Sequence, residues 1–92
     1  MKKEEAKKIC RAAIAKCGIS SRIDMAHEEM GELFVALNHF KRGRATTDDV
    51  ITEIADVAII TYQLAEIFGV EKVQAEIDRK LLRFQDRMKD KQ

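Results

Sequence analysis

The chain has 92 residues, of which 46% are hydrophobic and 36% charged, with no proline and four glycines. That length allows a single domain, residues 1–92, with a marginal core of its own, and the scarcity of breakers points away from a strand-and-turn fold. A formal net charge of +1 creates no strong global field, so nucleic acid is not an expected partner, and no apolar run reaches the length of a membrane span.

The first helix is predicted from about Lys3 to Lys16, with Ile9, Ala13 and Ile14 among its core-facing residues. Its start, Met-Lys-Lys-Glu-Glu, leads into no apolar stretch of the kind that marks a secretory signal. Cys10 and Cys17 are two helical turns apart, which separates their Cα atoms by roughly 10 Å, beyond disulfide reach. They read as reduced, partly buried thiols of a cytoplasmic protein. Gly18 ends the helix by allowing a left-handed turn.

Ser20 or Ser21 is then the expected cap of a second helix running to about Lys41, with Ile23, Met30, Leu33, Phe34 and Leu37 at helical spacing. Arg42-Gly43-Arg44-Ala45 is the clearest loop. Thr46 or Thr47 caps the third helix, and Asp48 and Asp49 in its first turn complement the helix dipole. That helix ends at Phe68, before Gly69, and the fourth runs from near Val70 to about Lys89 with Val73, Ile77, Leu81, Phe84 and Met88 inward. From Arg79 onward the basic residues Arg79, Lys80, Arg83, Arg87, Lys89 and Lys91 outnumber the acidic Asp86 and Asp90.

Projected at about 100° per residue, the third helix carries a core stripe of Val50, Ile54, Val57, Thr61, Leu64 and Phe68. Ile51, Ile59, Ile60 and Ile67 lie on its other sides. A helix apolar nearly all round is buried nearly all round, and four short helices cannot enclose it. The fold class is therefore an all-α, four-helix bundle completed by oligomerisation, as an obligate homodimer or a dimer of dimers (a homotetramer).

Four acids stand out. Glu29 and Glu32, and Glu53 and Asp56, are pairs three residues apart, a spacing that puts each pair on one helix flank. Glu53 and Asp56 share their face with Ile60 and Ile67, where an ionised carboxylate needs a compensating charge. The short loop makes helices two and three antiparallel neighbours. Glu32 and Asp56 then lie at similar distances from the turn, about 14–15 Å along each helix axis. Gly31, mid-helix, costs about 1 kcal/mol relative to alanine, which a close approach of another backbone or a ligand explains.

An all-oxygen set of this kind suits Mg2+ or Mn2+ better than zinc. A di-iron carboxylate bundle needs two Glu-x-x-His motifs, and the nearest approach here is Asp24-x-x-His27. His27 and His39 are not placed with the carboxylates and read as ordinary polar contacts.

The string Glu28-Glu29-Met30-Gly31-Glu32-Leu33, with twenty residues separating Glu32 from Glu53-Ile54-Ala55-Asp56-Val57, resembles the paired Glu-x-x-Glu and Glu-x-x-Asp motifs of MazG-like all-α nucleoside triphosphate pyrophosphohydrolases. The likeness runs from about Ile19 to Arg87. It implies cleavage of a nucleoside triphosphate between its α and β phosphates, giving the monophosphate and pyrophosphate. It also implies magnesium ligation by Glu29, Glu32, Glu53 and Asp56, and phosphate contacts from Lys80, Arg83 and Arg87. Glu28 or Glu29 is the candidate catalytic base, since one acid must stay free to accept the proton of an attacking water. Some relatives hold the base with tryptophan, which this chain lacks, so the resemblance leaves base preference open. The competing expectation is a catalytically inactive helical dimerisation or adaptor module of the same fold.

Overall fold

The computed structural model describes residues 1–90; Lys91, counted above with the C-terminal basic residues, lies outside the described residues. The described residues form four α-helices, α1 (Lys3–Cys17), α2 (Ile19–Lys41), α3 (Thr47–Phe68) and α4 (Val70–Asp90), and no strand. No helix among the described residues is long and apolar enough to cross a membrane.

The helix boundaries follow from local chemistry. Gly18, at φ 87°, and Gly69, at φ 121°, are one-residue joints whose positive φ suits glycine. The expected cap at Ser20 or Ser21 is corrected: α2 starts at Ile19 with Gly18 as N-cap and no side-chain cap. A one-residue joint leaves no separate position for a capping serine. At α3 the cap is Thr46. Its hydroxyl accepts from the Asp49 N–H at 3.2 Å, while its own N–H donates to the Asp49 carboxylate at 2.8 Å. This reciprocal pair satisfies two donors left open by the helix start, and it holds the Asp49 carboxyl below the ordinary carboxylate range.

Helix α3 is the centre of the molecule. It packs along α2 and against α1, and it meets the start of α4, while α4 packs on neither α1 nor α2. The radius of gyration is 16.0 Å, whereas a compact domain of this length has about 12 Å. The single chain is thus three packed helices with α4 projecting from them, not a closed four-helix bundle.

The packed face of α3 also differs from the expected stripe. Ile60, 2% exposed, and Gln63 are buried, and Glu53, Asp56, Val57, Leu64 and Ile67 are half-buried beside them. Of the expected stripe, Ile54, Thr61 and Phe68 face outward. Val57 and Leu64 lie where the two faces meet, so periodicity alone could not choose between them. Elsewhere the same correction recurs. Cys10 is buried while Ile9 is exposed; Ala26 is buried while Met30, Phe34 and Leu37 are exposed. On α4, Val73 is half-buried, but Ile77, Leu81, Phe84 and Met88 are exposed, because the chain provides no helix opposite them.

Both cysteines are free thiols, Cys10 buried and Cys17 exposed. Burial, with the Glu66 carboxylate adding to it, pushes the Cys10 thiol up from its ordinary pKa. An ion pair between Arg11 and Glu66, 3.1 Å apart, ties α1 to α3.

Candidate metal centre

The antiparallel α2–α3 pair brings the four acids together. Glu29 and Glu32 come from α2, Glu53 and Asp56 from α3, and one carboxylate oxygen from each lies within 4.8 Å of all the others. Around an octahedral magnesium ion with oxygens at 2.0–2.1 Å, neighbouring ligands stand about 3 Å apart and opposite ones about 4.2 Å apart. The four oxygens, all within 4.8 Å of one another, are spread over a span close to that of such a shell.

The electrostatics favour a cation as well. Glu29, Glu53 and Asp56 are half-buried and Glu32 is exposed. The Oε2 atoms of Glu29 and Glu53 are buried with no hydrogen-bond partner. A buried carboxylate oxygen without a donor is costly, and here two occur in one cluster. Burial, then the neighbouring Glu32, Asp56, Glu53 and Glu28, raises the Glu29 carboxyl above its ordinary pKa. Glu53 is raised in the same way, by burial first, then by the neighbouring Glu32 and Asp56. The ion pairs found among the described residues, Lys7–Glu4, Arg11–Glu66 and Arg79–Glu76, involve none of the four. The donor set therefore fits a hard divalent cation. The cluster contains neither histidine nor cysteine, so the zinc and di-iron alternatives find no support in it.

Beside the cluster a cleft of about 740 Å³ opens between α2, the α2–α3 loop and the start of α3. Glu32 and Glu53 belong both to the cluster and to the cleft wall, so a molecule in the cleft lies next to any ion the acids hold. Glu28, exposed, also lines it. His27 and His39 line the same cleft, which corrects the reading of them as polar contacts set apart from the carboxylates. Gly31 is corrected too. A Cβ there would meet nothing within 4 Å, so no backbone of this chain approaches it, and the residue faces the open cleft.

Lys80, Arg83 and Arg87, expected to contact phosphates, lie exposed on α4 and line no part of the cleft. Their helix packs only on α3, so a single chain does not carry them to the carboxylates. Arg44 and Thr52, which the sequence reading did not single out, do line the cleft. No spacing signal marks them: Arg44 stands in the α2–α3 loop and Thr52 in the first turns of α3.

The chain matched no protein-family model, no curated protein and no solved structure. The chemistry of the site rests on its own residues.

Proposed function

We propose that this protein is a magnesium-dependent nucleoside triphosphate pyrophosphohydrolase of the MazG-like type, with Mn2+ as an alternative ion. It acts in the cytoplasm as a homodimer or dimer of dimers. The observation that carries the reading is the pair of buried, unpartnered oxygens of Glu29 and Glu53, set in a four-acid cluster of which Glu32 and Glu53 also line the cleft. The cleft's volume, about 740 Å³, is within the roughly 300–1,000 Å³ of small-molecule sites.

In this reading Glu29, Glu32, Glu53 and Asp56 hold the ion, whose contribution when bound is to neutralise phosphate oxygens and to acidify water. Glu28, exposed at the cleft wall, is left to accept the proton of the attacking water, and Glu29 is committed to ligation by its buried oxygen. His27, His39 and Thr52 offer hydrogen bonds to the nucleotide from the remaining wall. The exposed apolar residues of α2, α3 and α4 favour association of copies. An inactive dimerisation module explains that exposure equally well, but it gives no reason for the acid cluster.

Replacing Glu53 by Gln keeps the shape and removes one charge. Pyrophosphate release, followed over a panel of ribonucleoside and deoxynucleoside triphosphates, is expected to fall by at least roughly 10–100-fold, the range for loss of a group that supports a metal site. Undiminished magnesium-dependent turnover in Glu53→Gln would sink the assignment. Absence of turnover in the wild type would leave the inactive module.

A further inference from the structure

The cleft is strongly acidic for a site that receives a polyphosphate. Its lining holds the carboxylates of Glu28, Glu32, Asp49 and Glu53 against one arginine and no lysine. A single divalent ion cannot offset both this wall and a triphosphate, so a phosphate chain needs a further cation close to the acids. The basic residues of α4 line no part of the cleft. Arg44 does.

Arg44 is also well placed to serve. Its backbone is pinned on both sides: its N–H donates to the His39 carbonyl at 2.8 Å, the preceding Gly43 takes φ 72°, and the Thr46–Asp49 capping pair begins two residues later. The loop is therefore ordered before a ligand arrives, which lowers the entropy lost on binding. Asp49 is occupied by Thr46, and the Arg44 guanidinium takes part in none of the side-chain hydrogen bonds or ion pairs found among the described residues. A guanidinium offers a planar fork that matches phosphate oxygens two at a time.

We infer that Arg44, from the α2–α3 loop of the same chain, is the residue that binds the pyrophosphate portion of the substrate beside the carboxylate cluster. The inference rests on the proposed pyrophosphohydrolase reading for the identity of the substrate, but not for the binding of the anion itself.

Calorimetric titration of inorganic pyrophosphate into the magnesium-loaded protein tests it, using wild type, Arg44→Ala, Arg44→Lys and a triple variant with Lys80, Arg83 and Arg87 all changed to Ala. Arg44→Ala is expected to weaken pyrophosphate binding at least tenfold while leaving magnesium affinity unchanged. Arg44→Lys should recover part of that loss, and the triple variant should bind as wild type does. Where turnover is measurable, Arg44→Ala should raise KM for the nucleotide. Unaltered pyrophosphate affinity in Arg44→Ala, or its loss in the triple variant alone, would overturn the inference and leave the pyrophosphohydrolase reading standing. Arg44-dependent binding of pyrophosphate by a protein that hydrolyses no nucleotide would support the inference and remove the reading instead.

Discussion

The α2–α3 pair and the α4 arm are built in opposite senses. Between α2 and α3 the chain encloses carboxylates, with Glu29, Glu53 and Asp56 half-buried and Gln63 buried. Along α4 it leaves Leu81 60% and Phe84 57% exposed. A folded monomer buries its large apolar side chains and solvates its acids. This chain departs from that rule once in each region, and in the proposed reading a cation answers the half-buried acids between α2 and α3 and a second copy covers the exposed apolar face of α4.

The largest effect should come from breaking the α4 side of this contrast. Full burial of a leucine or phenylalanine side chain is worth roughly 1.5–3 kcal/mol, and α4 exposes Ile77, Leu81, Leu82, Phe84 and Met88. Leu81→Glu combined with Phe84→Ser is expected to convert an oligomer to monomer in light scattering, with the helix content kept. A wild type that is monomeric at tens of micromolar would remove the need for a covering subunit.

Acidity should sharpen the other side. In metal-free protein, Glu29 and Glu53 have carboxyl pKa values raised by burial and by their acidic neighbours. The folded state then binds more protons than the unfolded one between the ordinary carboxylate pKa and the raised values. The stabilisation is complete below the ordinary pKa and is lost as pH rises through the raised one. With a chelator present, Tm should therefore increase as pH is lowered through that window, and Glu53→Gln should reduce the slope. Asp49 and Glu76, held low by Thr46 and Arg79 respectively, act in the opposite sense at more acidic pH, so a maximum in Tm is expected. Scanning calorimetry against pH measures this, and a Tm that only falls from neutrality downward would contradict strained acids.

The smallest effect concerns Gly31. Nothing in the chain obstructs a Cβ there, so Gly31→Ala should stabilise α2 by about 1 kcal/mol. Because the residue lines the cleft, the same change should weaken nucleotide binding. Greater stability with unchanged binding would show that no ligand reaches this wall.

Most of the helical framework was legible in the sequence, since glycine joints and the Thr46 cap are local signals. The meeting of the four acids was legible as well, because the short loop between α2 and α3 fixes their relative height. The packed faces were not. On α3 and α2 the apolar residues outnumber what one face can hold, and the chain packs the face with Ala26, Ile60 and the acids while leaving Ile54, Phe34 and Phe68 outside. Periodicity reports that a residue is apolar, not which neighbour covers it. The same limit explains α4, whose regular stripe read as inward though nothing in the chain stands opposite it. Arg44 was not legible for a different reason: it lines the cleft from a loop, and spacing along the chain does not express where a loop lies relative to a cleft.

Magnesium titration of the metal-free protein, followed by calorimetry, tests the central claim most directly. Wild type is expected to bind at least one ion per chain with a matching rise in Tm, and Glu53→Gln, folded to the same extent, is expected to bind at least tenfold more weakly. Magnesium binding that is absent in the wild type, or equal in the two proteins, would contradict a metal centre built from Glu29, Glu32, Glu53 and Asp56.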